Sequence, residues 1–298
     1  MSISEITHIA LPPRRVPFLV RCSVLFGGVL NQMGWLFFGF GLIFVWVFGL
    51  NSDVTSFFYF LGKVETTRGV ITASSKTGAS EGGSDTSKGI PIYANYYTFS
   101  TPDGRDYQGV SYATGRQLQV DRSITIEYTQ GNPAISRIKG MRRAIFGPFG
   151  LISFIFPVIG FFVIYAGLKK GFKASRLLKH GRIGVGKLKS KIPTNTRINE
   201  QRVYQLTFEF SPDEGGTYDV VSKTHLVDAL EDDEQEKLLY DPYKPSYAVM
   251  FDSLPSSPRI DELGNIRTRS VLRSLMFLVI PLVSIIGHGI YLYLKYFY

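Results

Sequence analysis

At 298 residues, with 45% hydrophobic and 14% aromatic side chains and a formal net charge of +9, the chain is long enough for about two domains and apolar enough to enter a bilayer. Its single cysteine, Cys22, excludes an internal disulfide and a cysteine-built metal site. The cations gather beside apolar runs, where they attract anionic lipid, and with no nucleic-acid motif among them they argue against a nucleic-acid partner.

The N-terminal segment, 1–32, includes the apolar stretch Val16 to Leu30, broken by Arg21 and bounded by Arg14-Arg15. It reads as an interfacial helix or an extension of the first span. Residues 33–50 carry no charge and match the roughly 20 residues that a helix needs to cross hydrocarbon. A β-module follows at 63–140. Its β-branched run from Thr66 predicts a strand, Ser74 to Gly89 reads as a polar mobile loop, and strands at Tyr93–Phe99 and 106–111 flank the turn Pro102-Asp103-Gly104. A last strand, Ser123 to Tyr128, alternates polar and apolar side chains and stops at Gly131-Asn132-Pro133.

A second uncharged span, 144–168, leads to a second module at 177–256. There Gly184 to Leu188 opens a strand, Pro193 to Arg202 reads as a polar loop, Tyr204 to Phe210 alternates, and the acidic run Asp228 to Glu236 precedes a strand near Lys237–Tyr240. The third span, 271–296, has between Ser274 and Leu294 a single ionisable group besides tyrosine, His288. Three crossings place twelve flanking Lys and Arg on one side and seven on the other, which predicts a cytoplasmic N-terminus. The expected fold class is therefore membrane α plus small β: three transmembrane helices with two repeated barrel-like modules, OB-like or SH3-like.

The two modules are one pattern written twice. Tyr97, Phe99 and Tyr107 recur as Phe208, Phe210 and Tyr218 at an offset of 111, and Tyr128 recurs as Tyr240 at an offset of 112. The strand ending in Gly-Val, the aromatic hairpin with its Pro-Asp turn, the Tyr-x-x-x-Asn-Pro finish beside a span, and Leu177-Leu178-Lys179-His180-Gly181 ahead of the second copy resemble the bacterial membrane family catalogued as domain of unknown function 3592. Lys244 stands in the second copy where the first has Asn132. The resemblance covers about 160 residues; it implies a small membrane-tethered β-domain and no activity.

Catalytic patterns are missing from this sequence. Gly78-Ala79-Ser80-Glu81-Gly82 matches a nucleophile-elbow string but lacks the strand-to-helix context. His8, His180, His225 and His288 have no metal-ligand spacing, and the acidic cluster Asp228, Glu231, Asp232, Asp233, Glu234 and Glu236 lacks the glycine frame of a calcium loop. No cofactor, metal or small-molecule substrate is predicted. Tyr93, Tyr97, Tyr243 and Tyr247, together with Tyr96, are candidate partner contacts, and His288 is a candidate intramembrane polar site. Pro157 and Pro281 are expected to kink their helices, and Gly39, Gly41, Gly160 and Gly287 to permit close helix approach. The expectation is a multi-pass inner-membrane scaffold without enzymatic activity. Its partners would be the lipid bilayer and either another membrane or envelope protein or a second copy of itself. The alternative is a subunit of an oligomeric transporter or channel that uses His288.

Overall fold

The computed structural model describes residues 10–82, 89–198, 200–225, 227, 230, 235–255 and 258–298. The chain divides into two compact units, Gly41–Phe156 and the segments on either side of it. Among the described residues, three helical stretches are long and apolar enough to cross a membrane: Val29–Gly49, Pro148–His180 and Val271–Phe297.

In the unit Gly41–Phe156, the end of helix α2 (Val29–Phe44) widens into a π-turn at Val45–Gly49, and a short helix α3 (Thr55–Tyr59) leads into the first sheet. The sheet comprises β1 (Val64–Glu81), β2 (Ile90–Ser100), β3 (Asp106–Thr114), β4 (Ser123–Thr129) and β5 (Asn132–Ile138), in the order β3-β2-β1-β4-β5 and antiparallel throughout. β1 serves both halves: Val64 to Val70 pair with β4, and Gly69 to Glu81 pair with β2. At the crossing, a Cβ on Gly69 would lie 2.7 Å from both Ile126 Cγ1 and the Thr98 carbonyl oxygen, so only glycine fits. Register shifts after Ile71 and after Lys76 bend the strand.

The loop expected at Ser74–Gly89 is therefore strand as far as Glu81, and 83–88 lie outside the described residues. Ser74 donates to Asn95 Oδ1 at 2.8 Å and Thr77 to the Ile92 carbonyl at 2.8 Å, so the polar side chains are used on the ladder itself. Ile71, Tyr97, Phe99, Leu118, Ile126, Tyr128, Ile138 and Met141 fill the concave side. Phe99 stacks on Tyr107 at 5.6 Å and on Tyr128 at 5.5 Å. The edge strands β3 and β5 approach each other but share no ladder, so the sheet curls without closing. Ser111 Oγ bridges the seam by accepting from the Ile138 amide at 2.9 Å.

The other unit contains α1 (Phe18–Phe26), most of α2, α4 (Ile155–His180), a second five-stranded sheet, a short ribbon of β11 (Arg259–Ile260) and β12 (Ile266–Arg267), and α5 (Val271–Phe297). The sheet strands are β6 (Arg182–Ile198), β7 (Gln201–Phe210), β8 (Tyr218–Thr224), β9 (Glu236–Asp241) and β10 (Lys244–Met250). Their order, β10-β9-β6-β7-β8, repeats the first sheet strand for strand. Both bends recur 117 residues later, after Leu188 and after Pro193. Gly186 takes the place of Gly69, and Phe210 stacks on Tyr218 at 6.0 Å and Tyr240 at 5.5 Å. The polar stretch Pro193–Arg202, expected as a loop, is strand on both sides of its turn. This sheet is also open. Barrel closure, the sequence expectation, fails in both copies because the edge strands meet through side chains rather than a backbone ladder.

Val20 and Val24 of α1 pack with Ala174, Leu177 and Leu178 of α4 against Leu239 of the second sheet and Phe251 just after β10. The segment expected at the interface or on the first span forms a helix of its own, ended at Gly27 and distinct from α2. Pro281 lies inside α5 and cannot donate to the Phe277 carbonyl; Gln32 Nε2 from α2 supplies that bond at 2.8 Å. Pro157 sits in the first turn of α4, where a proline is tolerated.

Candidate functional site

The four candidate contact tyrosines divide by environment. Tyr243 forms the β9–β10 turn and is 97% exposed. Tyr93, on β2, is half-buried. Tyr97 corrects the sequence reading: it is 1% exposed, its hydroxyl lies 2.9 Å from Ser136 Oγ, and burial pushes its pKa up. It points into the core because β2 alternates, and Tyr96 takes the outward position at 44% exposure. Tyr247 packs on the α1–α4 cluster with Lys173 Nζ 4.6 Å from its ring centroid, so it too serves the interior of its unit.

His288 Nε2 lies 2.9 Å from the Gly39 carbonyl oxygen, which joins α5 to α2 one turn along the same face of α5 from the close approach of Gly39 and Ser284. Gly160 and Gly34 likewise let α4 and α2 meet, whereas Gly287 has open space around it. Ser80 of the elbow-like string is on a strand, opposite Pro91. Of the acidic cluster, Asp228, Glu231, Asp232, Asp233 and Glu234 lie outside the described residues, and Glu236 opens β9. No three His, Cys, Asp or Glu among the described residues are placed to share a metal ion.

Two concavities lie within the unit Gly41–Phe156. One, about 540 Å3, is walled by Phe44, Phe48, Phe146, Phe149 and Phe156, with Glu81 and Arg142 among its lining residues. Arg142 Nη1 donates to both Glu81 oxygens at 2.9 and 2.7 Å, and Thr114 donates to the same carboxylate at 2.8 Å. Partial burial raises the Glu81 pKa, but the bonds from Arg142 and Thr114, the Arg142 charge and the Gly147 amide outweigh it, leaving the carboxyl below its ordinary range. The polar groups there are committed to each other. The second concavity is a groove of about 560 Å3 bordered by Arg68 of β1, Arg116 and Arg122 of the β3–β4 connection, and Lys139 after β5. Leu118 and Ile138 form its apolar part, and Ser123 and Thr125 add hydroxyls.

The convex faces of the two sheets differ more than the cores. On the first, Glu127 and Arg137 sit opposite each other on β4 and β5 and form an ion pair at 2.9 Å. At the equivalent register on the second stand Leu239 and Val249, packed into the α1–α4 cluster. The charged pair is itself half-buried, with the Arg137 guanidinium 4.1 Å over the Phe60 ring, whereas the apolar pair is covered by helices.

Sequence reasoning missed Arg14, which it treated only as a flanking charge. Its guanidinium is buried at the end of α4 and donates to the Gly181 carbonyl at 2.7 Å and the Leu178 carbonyl at 3.3 Å. A cation capping a helix C-terminus is favourable, and nothing local in the sequence marks a partner more than 160 positions away. Comparison with models of known families, with curated proteins and with solved structures found no match.

Proposed function

We propose that this chain is a multi-pass protein of the inner membrane with a non-enzymatic, scaffolding role. Its second β-module is integrated with its own helices, and its first presents a hydrophilic face to a partner in the membrane or envelope. The observation that carries this reading is the exchange of Glu127–Arg137 for Leu239–Val249 at one register of a repeated sheet. A face that had to be covered by the protein's own helices would favour the apolar pair, as the second copy does.

The strand order, with a long first strand shared between both halves and edge strands β3 and β5 drawn together, favours the OB type over the SH3 type. The residue pattern supports placing both copies with the domain of unknown function 3592 family. The positive-inside balance supports a cytoplasmic N-terminus and a first module on the opposite side. The transporter alternative finds His288 bonded to a backbone carbonyl, as a helix tie would be.

Photocrosslinking in native membranes tests the scaffold reading. A photoreactive residue at Val70, on the convex face of β1, should yield a discrete protein adduct that disappears in the variant E127L/R137V. An adduct unaffected by that variant, or none at Val70 and Tyr96, would refute the reading. Altered ion flux in proteoliposomes carrying His288→Ala would put the transporter in its place.

A further inference from the structure

We infer that the groove bordered by Arg68, Arg116, Arg122 and Lys139 binds a water-borne phosphate ester, specifically a phosphorylated sugar or polyol. The inference deepens the proposed function by naming the chemistry that the first module would take from its surroundings.

Four cations from three separate segments border one concavity, and no carboxylate among the described residues lines it. None of the four forms an ion pair with a described residue, so their mutual repulsion is left to an outside anion to relieve. The fold does not require them. The second copy keeps both bends, the crossing glycine, and Leu230 in the place of Leu118. Yet it has Val185 for Arg68, Glu234 for Arg122 and Phe251 for Lys139, and the counterpart of Arg116 is Val227 or Asp228. What the duplication retained serves the sheet, and what it changed serves something specific to the first copy.

Three of the four cations are arginines, whose planar fork matches two phosphate oxygens at once. The Ser123 and Thr125 hydroxyls can bond to ligand hydroxyls, and Ile124, the half-buried apolar residue of the lining, can meet the C–H face of a sugar or polyol, while Leu118 and Ile138 floor the groove from the core. No aromatic ring lines the groove, which leaves nucleobases without a stacking platform. The strongly exposed phenylalanines of this unit, Phe57, Phe58 and Phe149, also lie elsewhere, so an acyl chain would find no apolar seat beside the charges. This favours a ligand from the aqueous phase over a lipid headgroup.

The test uses the full chain in phosphatidylcholine nanodiscs, titrated with fructose 1,6-bisphosphate and, separately, inorganic tripolyphosphate. Removal of two charge-assisted contacts in R68Q/R122Q should weaken binding by about tenfold or more. R68K/R122K, which keeps charge but loses the fork, should fall between. The control R197Q/R202Q removes as much charge from the facing strands β6 and β7 and should change binding less than about twofold. An equal loss in that control would show that net charge alone attracts the probes, and would overturn the site. So would the absence of millimolar binding by either probe. Abolition of probe binding on adding phosphatidylglycerol to the nanodisc would overturn the water-borne source in favour of a headgroup. Lost phosphate binding with an intact crosslink at Val70 would end this inference and leave the scaffold reading standing; the opposite result would do the reverse.

Discussion

Gly69 and Gly186 occupy the same place in the two copies but differ in what a methyl group would meet. At Gly69 the neighbours include a backbone oxygen at 2.7 Å, whereas at Gly186 the nearest are the Leu238 and Phe208 side chains at 3.0 and 3.1 Å. Gly69→Ala should therefore cost about 1–3 kcal/mol, and Gly186→Ala distinctly less, because a side chain can shift where a ladder carbonyl cannot. Thermal unfolding in detergent, with each sheet followed by its own hydrogen exchange, would check the ranking. Tyr97→Phe strands Ser136 without its buried partner and should cost about 1–2 kcal/mol, while Tyr96→Phe should be neutral. The aromatic repeat was readable in the sequence, but the destination of Tyr97 was not. Alternation tells that neighbours face opposite ways, and only the curl of the sheet decides which way is in. Arg14 was hidden for a different reason, since its acceptors are carbonyls that only the packed end of α4 brings within reach.

Among the elements, β1 shows where composition misleads. Ser, Thr, Lys and Gly from Ser74 onward carry too little apolar surface to be recognised as a strand, yet pairing with β2 along one side holds them extended, and Glu81 pins the far end through Arg142 and Thr114. Because the native state holds the Glu81 carboxyl below its ordinary value of 4.5, the stabilisation is complete above that value and is lost as pH falls through the native pKa. Melting temperatures of the native chain and Glu81→Gln should thus differ near neutrality and converge as the pH is lowered through the native pKa, which lies below 4.5. A constant difference across that range would assign the effect to packing. The final strands β5 and β10 were also illegible: Pro133 reads as a stop, and Pro245 stands at the same place in the second copy, although each lies on an edge strand, where a proline is tolerated. The apolar helices were legible from length and charge alone, because hydrocarbon imposes a requirement that few other environments do.

At the scale of the molecule, the proposed topology puts the like modules in different compartments. Reporter fusions after Gly104 and Gly215 should give opposite compartment signals, and equal signals would remove one span from the count. The duplication itself was visible in sequence as a constant offset, while the strand order and the repeated bends that make it a structural duplication needed coordinates. That order also governs synthesis. β1 and β6 are the first strands of their sheets to be made and become the middle ones, so each nascent module must wait with both flanks of its longest strand open. An unclaimed strand of that length invites capture by a neighbouring polypeptide. The hydrophilic half of β1, awkward to recognise in the finished protein, makes a poor template for such capture while the chain waits.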